Sequence, residues 1–333
     1  MRSEKINHRK VDRINQDNLA LKPRVLTVAS SPHLSEKRTL PDIMWGVVIS
    51  LIPVVAASAY YFHWLAFQLI LICSITCLAT EIFFQLIRGK PVTLQDGSAV
   101  VTGILMALIL PPHLPWWAAV LGSIFAISIG KQIFGGLGYN IFNPALIGRA
   151  FLAATFPVLM TTWTHPFTLN TITGATPLGI LKFEHSMVPL FKLLTGNVGG
   201  CLGETSALAI IVGGIYLLGR RYADWRIPFS YLATVAGLTG ILWLISPAYG
   251  SPPFHLLAGG LLLGAVFMAT DPVTSPVTKS GRYIFGVGAG AVVVLIRLWG
   301  VNPEGVMFSI LFMNALTPLI NRHTIPTPLG GKK

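Results

Sequence analysis

Charge is scarce in this chain. Only 12 of its 333 residues are acidic, and Asp, Glu, Lys and Arg together make up 11% of it, where a soluble domain carries about a quarter. With 53% hydrophobic residues and a mean hydropathy of +0.67, this shortage excludes an ordinary soluble domain and points to an integral membrane protein. Cysteine is scarcer still: Cys73, Cys77 and Cys201 are the only three. Cys73 and Cys77 fall four apart on one helical face within an apolar run. No CxxC pair or Cys/His cluster accompanies them, which argues against an iron–sulfur or zinc centre. A Rossmann-type glycine fingerprint is also lacking, so the chain itself is not expected to bind NADH. The formal charge of +12 could suggest nucleic acid. Its basic residues, however, cluster at the ends of apolar runs, where they set membrane orientation; no nucleic-acid partner is expected.

What the chain has in abundance is apolar sequence. About ten runs approach helix-spanning length: residues 41–62, 64–87, 97–111, 116–130, 143–163, 204–219, 227–246, 254–270, 283–300 and 304–320. The first 40 residues are too long and too polar for a signal peptide and read as a cytoplasmic extension. With that end inside, the connections at Arg88/Lys90, Lys131, Arg220/Arg221/Arg226, Lys279/Arg282 and the tail at Arg322/Lys332/Lys333 all fall inside as well. The opposite connections "PPHLP" and "SPAYGSPP" carry no Lys or Arg, and the long polar stretch 164–203 carries only Lys182 and Lys192. This is a positive-inside pattern, and it turns 164–203 outward.

The halves resemble each other: "LQDGSAVVTGILMALILPP" parallels "GCLGETSALAIIVGGIYLL", and "YNIFNPALIGRAFLA" loosely parallels "VFMATDPVTSPVTKSG". Short, Gly/Pro-broken helices at matching positions are a transporter-like feature. The expected architecture is an all-α polytopic membrane protein of about ten transmembrane helices in two five-helix repeats. Those repeats cover 41–163 and 204–320, with an outer loop at 164–203 and a cytoplasmic tail at 321–333.

Intramembrane acids are functional candidates by default. Glu81, inside the second run, is the best candidate for ion or proton handling. Asp96 and Glu204, at run ends, are expected to cap short helices, and Asp271-Pro272 reads as a helix-ending turn. Gly135, Gly136 and Gly138 allow close backbone approach. Asn143-Pro144 opens a helix whose N-terminus can receive an anion. The eight tryptophans mostly fall near run ends, as an interfacial belt requires.

The segment "TITGATPLG", residues 171–179, holds three threonines and no histidine, cysteine or carboxylate. A threonine without an activating base is not a nucleophile. The remaining chemistry is modification by another protein, for which a small Gly-Ala turn ending at Pro177 would expose the Thr176 hydroxyl; the plain alternative is an outer turn.

Over nearly the whole membrane region the chain resembles the family of D subunits of Rnf electron-transport complexes and the related B subunits of sodium-pumping NADH:quinone reductases. The resemblance rests on "SPH" at 31–33, "DGSAVVTGILMALILPP" at 96–112, "FGGLGYNIFNPALIGRA" at 134–150, "GETSALAIIVGGIYLL" at 203–218 and "DPVTSP" at 271–276. The family's [ST]-G-A-T motif, whose last threonine carries FMN through a phosphoester bond, is matched by Thr173, Gly174, Ala175 and Thr176. An Asp often stands six residues before that threonine; here the position is Asn170. The resemblance implies covalent FMN on Thr176, attached by a flavin transferase. It also implies a non-covalent riboflavin, with Gly135, Gly136 and Gly138 as a candidate wall. The partners implied are membrane lipid and subunits of the A, B, C, E and G types. The implied activity is electron transfer across a bacterial inner membrane, within ferredoxin:NAD⁺ oxidoreduction coupled to Na⁺ or H⁺ movement. Two alternatives stand beside it: a component of a quinone reductase that passes electrons to ubiquinone, and a flavin-free small-solute channel of the urea-transporter type.

Overall fold

A computed structural model describes residues 39–168, 171–172 (backbone only), 176–301 and 303–326. The cytoplasmic extension expected at 1–40, most of the tail after 320, and Asn170, Thr173, Gly174 and Ala175 of the attachment segment lie outside the described residues, in whole or nearly so.

The chain enters at α1 (Leu40–Phe62), whose first turn is closed by a capping box between Thr39 and Asp42. A single residue, His63, held at φ 49°, reverses it into α2 (Trp64–Ile87). The burial of α2 follows a helical stripe through Ala66, Leu69, Cys73, Cys77, Glu81 and Gln85, while Phe67, Leu71 and Ile75 on the opposite side are exposed. The inward stripe therefore ends in the polar groups, and the outward one, apart from Gln68 near its start, is apolar, the order required when the surroundings are lipid. Then come α3 (Ser98–Leu108), α4 (Trp116–Ile127), α5 (Pro144–Thr155) and the short α6 (Pro157–Thr161). The second set is α9 (Ala207–Gly219), α10 (Arg226–Ile245), α11 (Pro252–Leu257), α12 (Leu261–Leu263), α13 (Lys279–Trp299) and α14 (Val306–Thr324). Two wide π-type turns extend α4 and α12, at Ser128–Gln132 and Gly264–Met268.

Every apolar run contains helix, which gives the all-α membrane architecture, but the runs are not ten equal spans. Among the described residues four helices are long and apolar enough to cross a bilayer, or five if Pro247–Leu257 and Leu261–Met268, bent by 48°, form one broken span. The helices α3, α5 and α9 have 11, 12 and 13 residues, about 16–20 Å of helix against a hydrocarbon core of about 30 Å. Short helices leave irregular backbone at depth, and protein must satisfy it. The 201–204 turn illustrates this: the Leu202 amide donates to the Leu110 carbonyl at 3.1 Å, and the Ser58 hydroxyl donates to the Leu202 carbonyl at 2.7 Å.

The stretch 164–203 is more structured than a loop. Trp163–Thr164 (β1) pairs antiparallel with Thr171–Ile172 (β2), and α7 (Pro177–Glu184) and α8 (Leu190–Thr195) follow. Leu178, Leu181 and Leu193 from this cap pack on Phe254 and Ala258, so the cap is fastened to the broken α11–α12 segment.

Close helix packing is set by small residues. A Cβ on Gly286 of α13 would sit 2.8 Å from the Ile227 carbonyl oxygen of α10, and one on Gly290 would sit 2.9 Å from the Tyr231 carbonyl oxygen. In lipid such close approach replaces the hydrophobic drive that joins helices in water. We predict that Gly286→Ala lowers the thermal unfolding midpoint in detergent, at a cost of about 1–3 kcal/mol. Gly219→Ala, where an added Cβ meets nothing within 4 Å, is expected to unfold like wild type.

Candidate functional site

Thr176 is the N-cap of α7. Its hydroxyl oxygen accepts from the Gly179 amide at 3.3 Å, and Pro177 follows at the first helical position, where its missing N–H costs nothing. The residue is not displayed on an open turn, as the Gly-Ala segment suggested; it is 6% exposed. Its side chain instead lines a cavity of about 560 Å³ between the cap and the helices. Apolar walls come from Met160, Phe183, Met307 and Phe308, with Trp163 among them. Trp163 is buried and so departs from the interfacial belt expected of the tryptophans.

One side of this cavity is charged. Arg149 of α5 donates from Nη2 to Glu304 Oε2 at 2.8 Å, and its Nη1 lies 3.9 Å from Glu204 Oε1. Arg297 of α13 is 3% exposed and reaches the break between α11 and α12. There Nη1 donates to the His255 carbonyl at 2.6 Å and Nη2 to the Ala258 carbonyl at 3.0 Å, while its Nε is buried without a partner. Glu204 does not cap α9, as its place at a run end suggested; Ser206 does, accepting from the Ala209 amide. Glu204 turns into the cavity, where a Cβ on Gly260 would lie 2.9 Å from its Oε1. Burial, reinforced by the charge of Glu204, raises the Glu304 carboxyl to about 7. Cys201 Sγ and one oxygen each of Glu204 and Glu304 lie within 4.8 Å of one another; the countercharge there is the Arg149 guanidinium, and no metal is assigned.

A second polar cluster surrounds Glu81. Its Oε1 accepts from Lys131 Nζ at 2.7 Å, with both side chains 2% exposed, and Gln132 Nε2 lies 3.3 Å from the same oxygen. Lys131 also donates to Ser98 Oγ at 2.6 Å. The sequence pattern counted Lys131 among the inner surface charges, but the π-type turn at Ser128–Gln132 carries it inward instead. Such turns are frequent at functional sites. Lys131, Ser98, Asn140, Asn143 and Asp271 line a small cavity of about 70 Å³.

The N-cap of α3 is Gly97, with no side-chain cap, and not Asp96 as expected; Asp96 stands one residue earlier, its Oδ1 accepting from the Ser98 amide at 2.9 Å. Asp271 closes its own turn by accepting from the Val273 amide and the Thr274 hydroxyl. The N-terminus of α5 is not open to an anion: Asn143 Oδ1 takes the amides of Ala145 and Leu146, and its Nδ2 donates to the Met268 carbonyl across the second π-type turn. Gly135, Gly136 and Gly138 all have φ between 95° and 124°, so the backbone demands glycine there. No heavy atom lies within 3.4 Å of a Cβ added at any of them, and they border neither cavity; their neighbours Leu137 and Asn140 reach the smaller one. Arg149, Arg297 and Glu304 were not singled out from sequence. The available signal was their ionisable character at the ends and interiors of apolar runs.

The model of the NQR2, RnfD, RnfE family matches residues 27–330. The chain is 47% identical, over 90% of its length and 93% of the relative's, to the D component of the Na⁺-translocating ferredoxin:NAD⁺ oxidoreductase complex of Acetobacterium woodii. It is 43% identical, over 94% and 98%, to the D component of the proton-translocating ferredoxin:NAD⁺ oxidoreductase complex of Clostridium ljungdahlii. It is 45% identical, over 88% and 93%, to the D component of the ion-translocating oxidoreductase complex of Stutzerimonas stutzeri.

Lys131→Met strands a buried carboxylate and is expected to cost about 3–5 kcal/mol, measured by thermal unfolding in detergent. Adding Glu81→Gln should recover most of that loss. A double variant no more stable than the single one would contradict the pairing.

Proposed function

The chain belongs to the NQR2, RnfD, RnfE family, and from that premise we propose that it is the membrane electron-transfer subunit of an ion-translocating ferredoxin:NAD⁺ oxidoreductase, with FMN esterified to Thr176. The relatives' names supply the complex; two of them specify ferredoxin and NAD⁺, which favours this reading over a place in a quinone reductase. One observation supports the cofactor above the rest. Thr176, which ends Thr173-Gly174-Ala175-Thr176, lines a cavity of about 560 Å³, within the roughly 300–1,000 Å³ typical of cofactor pockets.

The residues fit the group. A phosphate on the Thr176 oxygen would sit at the N-terminus of the eight-residue α7, where the helix dipole favours an anion. Trp163, Phe183, Met307 and Phe308 offer apolar surface for a ring system, and the unpartnered Arg297 Nε offers a hydrogen bond to its electron-rich edge. Bound FMN would supply the electron-accepting ring. The chain's own part is to hold that ring, exclude water with the α7–α8 cap and balance its charge.

The same reading places Thr176 on the outer face of a bacterial inner membrane and both termini inside, on the positive-inside pattern. Its partners are the A, B, C, E and G types of subunit, with a flavin transferase attaching the FMN. Glu81 belongs to the path of the coupling ion, Na⁺ or H⁺. A non-covalent riboflavin does not fit the small cavity of about 70 Å³ beside Leu137 and Asn140 as it stands, and no step is assigned to one.

Thr176→Ala should abolish in-gel flavin fluorescence of the denatured protein and the added FMN mass on its peptide. It should cost the fold only the cap, about 1 kcal/mol. Thr176→Ser, which keeps both hydroxyl and cap, tests whether the hydroxyl is what matters. An unmodified wild-type peptide, from cells that contain the transferase, would overturn the assignment.

A further inference from the structure

The cavity beside Thr176 holds four ionisable side chains on one wall: Arg149 and Arg297 against Glu204 and Glu304. Their formal charges cancel. An electron arriving on a ring in that cavity leaves one negative charge uncompensated in a medium of low dielectric, which is costly unless a positive charge arrives with it. The groups that face Glu304 and its neighbours differ in their ability to supply one. Arg149 and Arg297 are already protonated and stay so. Lys182 of α7 already donates to the carbonyls of Arg297 and Gly300. His255 of α11 lines a separate pocket; its Nε2 donates to the Tyr249 carbonyl, and its buried, unpartnered Nδ1 stands near the Arg297 guanidinium, whose charge opposes a second cation there. Cys201 is a buried thiol that keeps its proton. Glu204 is the more enclosed acid, with 6% of its side chain exposed against 19% for Glu304.

Glu304 alone combines an anchored oxygen with a spare one. Oε2 is fixed by Arg149, while Oε1 is buried and has no hydrogen-bond partner. A carboxylate held that way has one oxygen ready to carry a proton. The buried, unpartnered Nε of Arg297 on the same wall points independently to an electron-rich ligand edge there.

We propose that Glu304 is the proton-accepting group of the Thr176 cavity, taking up one proton from the outer aqueous phase for each electron that reaches the flavin. The proposal rests on the reading that FMN is attached at Thr176. In the step, a reduced flavin or iron–sulfur carrier of a neighbouring protein in the complex loses one electron and the ring gains it. An O–H bond forms on Glu304 Oε1 with a proton from water. When the electron leaves for the next carrier, that bond breaks and the proton returns. Glu304 touches neither donor nor acceptor; it acts through the field at the ring.

The test is a spectroelectrochemical titration of the Thr176-bound flavin in the purified holo-complex. In wild type the midpoint potential should fall as pH rises through the range where Glu304 titrates, approaching about 59 mV per pH unit for one proton per electron. In Glu304→Gln that dependence should flatten, and in Glu304→Asp it should return. On the wild-type complex, which needs no variant to fold, the reduced-minus-oxidised infrared difference spectrum should gain a protonated-carboxyl band, shifted in Glu304→Asp. A fluorescent, mass-confirmed flavin on Thr176 whose pH dependence is unchanged in Glu304→Gln, or a wild-type spectrum without the carboxyl band, would overturn this proposal and leave the attachment standing. Absence of flavin from Thr176 in the same preparation would overturn both.

Discussion

Arg297 bridges the interrupted helix that shapes the Thr176 cavity. The chain breaks between α11 and α12, and the carbonyls of His255 and Ala258, freed at that break, have no water to turn to within a bilayer. Arg297 donates to both. The break in turn places Gly260, without a side chain, against Glu204, and it offers Phe254 and Ala258 as the platform on which Leu178, Leu181 and Leu193 seat the cap. Thr176 starts the helix that carries Leu178 and Leu181. One guanidinium therefore links the irregular backbone, the floor of the cavity and the position of the candidate attachment hydroxyl.

A buried guanidinium imposes a second requirement, because charge in this environment must be balanced. Glu204 and Glu304 provide the balance for Arg149 and Arg297 at one end of the molecule, and Glu81 provides it for Lys131 at the other. The two clusters differ in what they leave over. Around Lys131 the surplus is Glu81 Oε2 and, on the wall of the small cavity, Asn140 Oδ1; around the Thr176 cavity it is Glu304 Oε1 and Arg297 Nε together. A spare acceptor and a spare donor on the wall of a large cavity suit a ligand whose charge changes.

Much of this was legible in the sequence. Each apolar run located by hydropathy contains helix, and the Thr173–Thr176 tetrapeptide and the intramembrane Glu81 pointed to the two candidate sites. What was not legible was depth. Nothing in the run 97–111 distinguishes a half-length helix from a full span, because both are uniformly apolar; only the packing of Gly103 onto α2 shows that α3 is enclosed. Lys131 looked like an orienting surface charge because its position beside a glycine-rich connection is where such charges fall. The π-type turn that rotates it inward has no sequence marker of its own. Glu204 looked like a cap because an acid before a short helix usually is one, and Ser206 took that role instead. The polar composition of 164–203 concealed its helices, whose burial depends on the distant Phe254 and Ala258.

The central claim is spatial: a flavin tethered at Thr176 lies in the cavity whose wall is Arg149, Arg297, Glu204 and Glu304. The most direct measurement is a cryo-electron-microscopy map of the oxidised complex, purified without chelators or flavin removal, at a resolution that shows side chains. The account predicts density continuous with the Thr176 oxygen that enters the cavity and ends in a planar feature within hydrogen-bond reach of Arg297 Nε. Density that leaves Thr176 toward solvent or a neighbouring protein, with the cavity filled by lipid or side chains, would contradict it.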